Sequence, residues 1–321
     1  MCQEPFCNFP TLQPKKPRLS FSNGFGILRP EKQIPIRVCQ GRSDITRGGA
    51  VKEEEKENVW QENAKPIGNF SGNMLILRTF FDIKLASIYY SIKKKLGSFE
   101  GKVLEVGCGN QPYRFLLHKA EYHGIDHILA KEFASHNDEI KYYENETFPE
   151  NSGEYDWCFH TEVLEHISDP EHFMKECHRV LKPSGGLLFT VPFSYRYHYI
   201  PHDYYRYTPS GLENLLEKGG FQVTEIRHQG SDITVACYKM ISVFFRFLTE
   251  KNTILWKSCR MIFTLLCLPY LFLIHLIGML SLALDWGSSN DTLGYLVIAR
   301  KKASLPASHQ EASPSPCCKP R

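Results

Sequence analysis

Two glycines and an acid near the middle of the chain have the spacing of a nucleotide-binding turn. Residues Val103–Asn110 read V-L-E-V-G-C-G-N, which predicts a short buried strand that runs into a turn at Gly107 and Gly109. Glycine lets the backbone turn sharply and approach a ligand closely, because no Cβ stands in the way. Residues 111–121 can open a helix whose N-terminal amides favour a polar or anionic ligand group. An ordinary strand-to-helix turn explains this segment equally well.

A carboxylate at the end of the next predicted strand favours the nucleotide interpretation. Asp126 follows Glu105 by 21 residues, the distance at which a βαβ nucleotide site places its ribose-binding acid. The third glycine of the dinucleotide fingerprint is absent, since Asn110, Gln111 and Pro112 occupy its region. The pattern therefore indicates a mononucleoside cofactor.

A loop after the fifth predicted strand concentrates side chains that could act on an acceptor. His198, Asp203 and Arg206 fall within nine residues of each other. A histidine placed over the reactive end of a cleft is a natural general base, so His198 and Asp203 are our candidate catalytic residues. The alternative is that Asp203 and Arg206 pair to brace the loop. Thr208 is expected to cap the helix that follows. His166 is a second candidate base, for which we favour a structural role.

Strands alternate with helices from Gly101 onwards, and this alternation predicts a parallel sheet with helices on both faces. Ligands of such sheets bind beyond the carboxyl ends of the strands. The predicted strands lie at 103–107, 122–126, 140–144, 155–160, 186–192 and 221–227, and the predicted helices at 111–120, 170–181 and 209–218. A further helix, Asn73–Leu96, either packs on the core or forms a lid over the cofactor.

The motifs E-V-G-C-G, G-I-D and E-V-L-E-H, in this order, resemble the class I S-adenosylmethionine-dependent methyltransferases. L-K-P-S-G-G before one strand and G-G-F before another extend the resemblance. It implies an α/β, doubly wound, mostly parallel seven-stranded sheet and S-adenosyl-L-methionine as cofactor. The implied cofactor-binding residues are Glu105, Gly107, Cys108, Gly109, Asp126, His160, Thr161 and Glu162. The acid that contacts adenine is left open among Glu144, Asn145 and Glu146.

The composition of the chain argues against several other classes of function. The net charge of +3 and the lack of a basic stripe argue against a nucleic-acid partner. The eleven cysteines form no C-x-x-C pair or metal-ligand spacing, so we predict a reducing compartment and no metal site. Residues 1–62 and 303–321 are predicted to be mostly disordered, because they are rich in proline, serine and charge.

An apolar insertion, residues 231–290, separates the core at 63–230 from its last predicted strand at 291–302. Its two apolar blocks are Val235–Leu248 and Met261–Leu284, and the second is long enough to span a bilayer. The last strand must return to the same sheet, which favours an in-plane or re-entrant helical hairpin. Lys251, Lys257 and Arg260 would then lie at the lipid headgroups. The alternative is a soluble helical cap.

These patterns together predict a membrane-associated methyltransferase that acts at oxygen on a hydrophobic, lipid-linked or glycan-type acceptor. Its catalytic domain would face the cytoplasm. A soluble small-molecule methyltransferase with a helical cap and a non-catalytic scaffold that keeps the fold are the two alternatives. The sequence does not predict an oligomeric state.

Overall fold

The structure, a computed structural model, describes residues 72–132, 139–199, 201–249 and 254–302. The predictions of disorder for residues 1–62 and 303–321, and the headgroup position of Lys251, lie outside the described residues.

Seven strands form one sheet in the order β3-β2-β1-β4-β5-β7-β6. Strands β1 to β5 are parallel to one another, and β7 runs antiparallel between β5 and β6. The prediction of a mostly parallel, seven-stranded sheet is confirmed. The strands are β1 (Gly101–Val106), β2 (Ala120–His127), β3 (Ile140–Tyr143), β4 (Tyr155–Thr161), β5 (Leu181–Pro192), β6 (Phe221–His228) and β7 (Gly294–Lys301).

Helices cover both faces of this sheet. The helices are α1 (Gly72–Thr79), α2 (Ile83–Leu96), α3 (Pro170–Val180), α4 (Pro209–Lys218), α5 (Asp232–Thr249) and α6 (Ile254–Leu284). Successive strand residues point to opposite faces, so Val103 packs in the cluster beneath α2 and Leu104 in the cluster beneath α3 and α4. Both side chains are fully buried. The sheet is thus buried on both sides, and its carboxyl edge is the place left for a ligand.

The segment after β1 does not form the predicted helix 111–120. It contains only a 3-10 turn, Arg114–Leu116. Gln111 has a positive φ of 54°, a conformation that no residue inside a right-handed helix adopts. The amides of a helix N-terminus are therefore not available beside the glycine turn, and the ligand contacts there must come from the turn itself.

The predicted helix Asn73–Leu96 is divided into α1 and α2. Asp82 separates them with an extended backbone, φ −126° and ψ 100°, and its side chain accepts a hydrogen bond from the Leu85 N–H at 3.0 Å. An aspartate in this conformation is a favourable N-cap, because it satisfies an amide that lacks a partner within the helix. The corner between the two helices lies at the carboxyl edge of the sheet.

The insertion between β6 and β7 is a helical hairpin, α5 followed by α6. Its base packs on the core: Ser281 shares hydrogen bonds with Ser231 and Thr234 at 2.9 and 2.7 Å. Gly278 lies so close to Ile83 that an added Cβ would stand 2.8 Å from the isoleucine side chain. Among the described residues one helix segment, Phe263–Leu284, is long and apolar enough to cross a membrane, and only 11% of its most apolar window is buried.

The hydrogen bond that caps α4 is expected to stabilise the fold, and mutation can test this. Thr208 accepts a hydrogen bond from the Gly211 N–H at 3.2 Å, and Pro209 occupies the first turn. Thr208→Ala should lower the free energy of unfolding by about 1 kcal/mol, because that amide loses its partner. Thr208→Ser keeps the hydroxyl and should be close to the unchanged protein. Urea unfolding followed by circular dichroism measures both, and equal losses for the two variants would show that capping is not the cause.

Candidate functional site

A cavity of about 660 Å³ opens at the carboxyl edge of the sheet. Its wall combines residues that follow β1, β2, β4 and β5 with residues of α1 and α2. The volume is within the usual range for small-molecule and cofactor pockets. This is the position at which open parallel sheets bind their ligands.

The glycine turn after β1 forms part of that wall. Gly107 and Gly109 both line the cavity and both have positive φ, 68° and 49°. A Cβ added to Gly107 would lie 2.5 Å from a methyl carbon of Val163. Glycine is therefore required here for its conformation and also for the space that it leaves beside the residues following β4.

Asp126 lies beside the glycine turn. Its Oδ2 accepts a hydrogen bond from the Gly109 N–H at 2.7 Å, and its Oδ1 accepts one from the His127 N–H at 2.8 Å. The carboxylate is 7% exposed and lines the cavity. Burial raises its pKa, and the two N–H donors oppose that rise. Each oxygen keeps a second lone pair that can accept a hydrogen bond from a ligand hydroxyl.

The three residues considered for the adenine contact differ in whether they reach the cavity. Glu146 lines the cavity together with Tyr143, whereas Glu144 and Asn145 do not. Of the three candidates for the adenine contact, Glu146 is therefore the one that the fold places at the wall.

Glu105 and Cys108, two of the predicted cofactor contacts, do not line the cavity. Glu105 is 1% exposed and accepts a short hydrogen bond from the Tyr122 hydroxyl. Burial raises the pKa of Glu105 to about 8, despite that hydrogen bond. Cys108 is 1% exposed. Both side chains lie beneath the glycine turn, where they support it.

His160 and Thr161 at the end of β4 are likewise not part of the wall. The ring of His160 is fully buried, stacked on Phe189 with centroids 4.7 Å apart and edge-on to Phe173. Neither ring nitrogen has a hydrogen-bond partner among the described residues. Burial lowers the pKa of His160 to about 3, so the ring is neutral and serves as part of the core.

Glu162 does line the cavity, and it is held by an ion pair that the sequence does not reveal. Its Oε2 lies 2.9 Å from the ammonium nitrogen of Lys84 on α2. The Lys84 side chain is only 8% exposed, and that of Glu162 is 21% exposed. Glu162 has a positive φ of 54°. The ion pair ties the helix that covers the cavity to the turn after β4.

His198 and Asp203, the predicted catalytic pair, are in contact. The Nδ1 of His198 lies 3.0 Å from the Oδ2 of Asp203, and the His198 N–H donates to the same oxygen at 2.9 Å. Arg206 clamps the carboxylate at 2.5 and 2.8 Å. Burial alone would raise the pKa of Asp203, but the hydrogen bonds from Arg206 and His198 lower it below its ordinary value. The brace predicted as an alternative to function is therefore present together with the histidine contact.

His166 lies next to His198, their ring centroids 4.8 Å apart. Burial lowers the pKa of His166 to about 4, and burial also lowers the pKa of His198. Both imidazoles line the cavity and are neutral at physiological pH. Beneath them Glu165 is fully buried, and burial raises its pKa well above the ordinary value. Glu165, His166 and His198 each place one possible metal-ligand atom within 4.8 Å of the others.

The wall residues fit the S-adenosylmethionine that the sequence resemblance implies. The acid of β2 can accept hydrogen bonds from ligand hydroxyls, the glycine turn lets a ligand approach its backbone because no Cβ stands in the way, and Glu146 can accept from an amino group. Strands β2 and β5 are separated in the sheet by two strands, or about 14 Å. The histidine loop after β5 therefore lies away from the acid of β2, on the side left for an acceptor.

Comparison with known proteins supports this assignment. Residues 84–226 match a family model described as a methyltransferase domain. The chain is similar to a ubiquinone biosynthesis O-methyltransferase of Coxiella burnetii, with 27% identity over 202 residues that cover 54% of this chain and 84% of the relative. An Acinetobacter baumannii protein of the same name is 26% identical over 165 residues, which cover 42% and 70% of the two chains.

Solved structures with a similar fold include an S-adenosylmethionine dependent methyltransferase from Mesorhizobium loti, with a TM-score of 0.40, 13% identity, and coverage of 68% of this chain and 99% of that chain. The family match extends from α2 to β6 and includes the glycine turn, the acid of β2 and the turn after β4. Residues 84–226, which carry these parts of the site, thus match a methyltransferase domain, and the seven-stranded sheet has the class I methyltransferase fold.

Proposed function

We propose that this methyltransferase transfers a methyl group to a hydroxyl oxygen of a hydrophobic acceptor at a membrane surface. One observation carries the proposal: a single cavity is lined both by the glycine turn with Asp126 and by His198, which Asp203 orients. Bound S-adenosylmethionine supplies the activated methyl group. The residues of the chain must hold the two reactants in line and deal with the hydroxyl proton.

Gly107, Gly109, Asp126 and Glu162 are the proposed cofactor contacts, because all four lie at the wall. Glu105, Cys108, His160 and Thr161 are proposed to act indirectly, by holding the turns after β1 and β4 in place. Alignment of two reactants in a near-attack geometry can lower a barrier by several kcal/mol. Rigid turns beside the cofactor would therefore contribute to catalysis by keeping the two reactants aligned.

His198 is proposed to act on the acceptor hydroxyl, with Asp203 as its positioning residue. The Nδ1 of His198 faces the Oδ2 of Asp203 and the carbonyl oxygen of Arg196, both acceptors, so this nitrogen carries the proton. The lone pair is then on Nε2. It can take the hydroxyl proton directly, or it can hold a cation that polarises the same hydroxyl.

Two observations support a hydrophobic acceptor. The cavity wall includes apolar side chains, among them Leu85, Ile88 and Ile167. The bacterial relatives are named as ubiquinone biosynthesis O-methyltransferases, a name that refers to an apolar product and to methylation at oxygen. A lipid-linked or glycan-type acceptor is the finer form of this proposal.

Membrane attachment is proposed for the hairpin α5–α6. Its α6 segment exposes large apolar side chains; Leu266, Tyr270, Phe272 and Leu284 are each about 70% exposed. Both ends of the hairpin join strands of one sheet edge, so the hairpin enters and leaves the bilayer on the same face. This arrangement would leave the whole catalytic domain on one face of the membrane, which we propose to be the cytoplasmic face.

A labelling experiment tests the function as a whole. The purified protein is incubated separately with a membrane lipid extract and with the water-soluble fraction of the same cells, each with S-adenosylmethionine carrying a trideuterated methyl group. Both fractions are then analysed by untargeted mass spectrometry. A lipid that gains the labelled methyl only with active protein identifies the acceptor class. Label found only in water-soluble compounds would favour the soluble, capped alternative. No label with any fraction, in a protein that binds the cofactor, would support the non-catalytic scaffold.

The acid of β2 makes a prediction about binding. Asp126→Asn should weaken S-adenosylmethionine binding about 10- to 150-fold, or roughly 1.5–3 kcal/mol, because an amide replaces an ionised acceptor. Asp285→Asn is the matched control at an exposed position whose positive φ asparagine tolerates. Titration calorimetry measures both. Equal affinity for the two variants would remove Asp126 from the cofactor site.

The histidine loop makes a prediction about turnover. His198→Ala should lower the rate of labelled methyl incorporation about a hundredfold or more and leave cofactor affinity nearly unchanged. His118→Ala is the control, since His118 contacts only a neighbouring carbonyl among the described residues. Near-normal turnover of His198→Ala would show that alignment alone suffices for the reaction.

The exposed face of α6 makes a prediction about membrane binding. Replacing Leu266, Phe272 and Leu284 with glutamine should move the protein from sedimenting lipid vesicles to the supernatant, because membrane affinity scales with buried apolar area. Phe115→Gln removes an exposed aromatic ring from the body of the domain and should have no such effect. A parent protein that stays in the supernatant with vesicles would contradict the proposal and favour a soluble cap.

A further inference from the structure

We propose that Glu165, His166 and His198 bind one divalent transition-metal cation at the cavity wall, with a coordination position open to the acceptor oxygen. The metal site stands on geometry alone. Its role toward the acceptor rests on the proposed function. Sequence spacing predicted no metal site, because that prediction considered cysteine pairs and local ligand spacing only.

The three side chains come from two separate segments that the fold brings together. Glu165 and His166 belong to the turn after β4, and His198 belongs to the loop after β5. One ligand atom from each lies within 4.8 Å of the others, and the Oε1 of Glu165 is 3.6 Å from the Nε2 of His166. Ligands at about 2.0–2.1 Å from a tetrahedral zinc ion lie roughly 3.4 Å apart. Side-chain rotations that move the ligand atoms by about an ångström would therefore bring all three into reach of one cation.

Both imidazoles are already held in the tautomer that a metal requires. The Nδ1 of His166 donates to the carbonyl oxygen of His202 at 2.7 Å, and the Nδ1 of His198 faces Asp203 at 3.0 Å. Ligating histidines almost always donate their other ring N–H to a carbonyl or a carboxylate, which fixes the ring and raises its basicity. The Nε2 lone pairs of both rings are thus left for a cation.

Glu165 is the independent observation that points to a ligand. The residue is fully buried, yet neither carboxylate oxygen has a hydrogen-bond partner among the described residues. Lys84 and Arg206 act on Glu165 electrostatically, but each forms its ion pair with another acid, Lys84 with Glu162 and Arg206 with Asp203. A buried carboxylate without a partner is strongly unfavourable. A bound cation removes that penalty and explains why a buried acid is placed beside two imidazoles.

The donor set indicates the class of metal. Two imidazole nitrogens and one carboxylate oxygen suit zinc, manganese, iron(II) or cobalt, whereas magnesium and calcium prefer all-oxygen sites. Three protein ligands with a fourth position open are typical of catalytic sites, while structural zinc sites are closed by four. Because His166 and His198 both line the cavity, the open position would face the acceptor.

The cation changes how the hydroxyl is activated. A hydroxyl oxygen bound to it loses its proton to water more easily, since a cation lowers the pKa of an oxygen that it binds. The oxygen then forms the new O–C bond while the C–S bond of the sulfonium breaks, and the electron pair of that bond stays on sulfur. No oxidation or reduction takes place. His198 acts in this case as a ligand and not as a base.

The test uses the full-length protein freed of metal by a chelator and then dialysed. Mn²⁺ is the first probe, because thiolates bind it weakly and the chain has eleven cysteines; free Mn²⁺ is counted by electron paramagnetic resonance. Co²⁺ is the second probe, read by its visible absorption. We expect one saturable equivalent. Glu165→Gln and His198→Gln should each weaken binding by about a hundredfold or more, since even second-shell changes weaken metal sites 10- to 100-fold.

His118→Gln is the matched control, which removes an exposed imidazole outside the cavity and should bind as the parent does. His166→Gln replaces Glu165→Gln if thermal unfolding shows that the buried variant does not fold. Absence of a saturable equivalent, or equal binding by all variants, overturns the metal site. If cofactor binding and methyl transfer persist in the metal-free protein, the catalytic role of the metal is overturned and the base role of His198 stands. A metal-loaded protein that transfers no methyl group contradicts the proposed function and leaves the metal site in place.

Discussion

The parallel pairing of four neighbouring strands is the constraint on which the rest of the site depends. β1 pairs with β2 and with β4, and β4 pairs with β5, so four strands end at one edge of the sheet. Val106 lies opposite Ile125, and Thr161 lies opposite Thr190. The residues that follow these positions therefore meet, although the chain separates them by up to a hundred residues. The helices on both faces exclude water from the sheet and leave this edge as the place for a ligand.

Burial then sorts the ionisable groups at this edge into two kinds. Groups without a charged partner have pKa values displaced toward the neutral form, as for Glu105 and His160. Other groups lie in ion pairs, as Glu162 does with Lys84 and Asp203 with Arg206. The low dielectric of the interior raises the free energy of a lone charge and strengthens the attraction between two paired charges. The cavity consequently offers neutral imidazoles and fixed ion pairs side by side.

The hairpin of α5 and α6 packs on the core at its base and exposes apolar side chains beyond it. Its base is a cap, because Ser231, Thr234 and Ser281 bond to one another and Gly278 packs on Ile83. The segment Phe263–Leu284 of α6 exposes many of its apolar side chains. The antiparallel position of β7 between β5 and β6 requires both ends of the hairpin to return to one sheet edge. A single crossing that leaves its two ends on opposite sides of a membrane is incompatible with that pairing.

The sequence by itself determined the features that depend on neighbours along the chain. The strand endings, the glycine turn with Asp126, the cap at Thr208 and the apolar hairpin all follow from local spacing. Local spacing was wrong about the helix after β1, where the positive φ of Gln111 prevents helical geometry. Local spacing also did not predict the break between α1 and α2 at Asp82. An acid that caps a helix inside an apolar run looks the same in the sequence as an exposed surface residue.

Tertiary structure alone decided which polar side chains reach the cavity. Lys84 meets Glu162, and Glu165 and His166 meet His198, across 78 and about 30 residues of chain. The sequence alone did not identify Lys84 and Glu165 as residues of the site. A buried charged residue and an exposed one look alike when only the neighbouring residues in the chain are known. The sequence also placed His160 at the cofactor, whereas the alternation of β4 directs that ring into the core. The physical reason is that burial and partnership are properties of the packed sheet, and neither can be read from a residue and its neighbours in the chain.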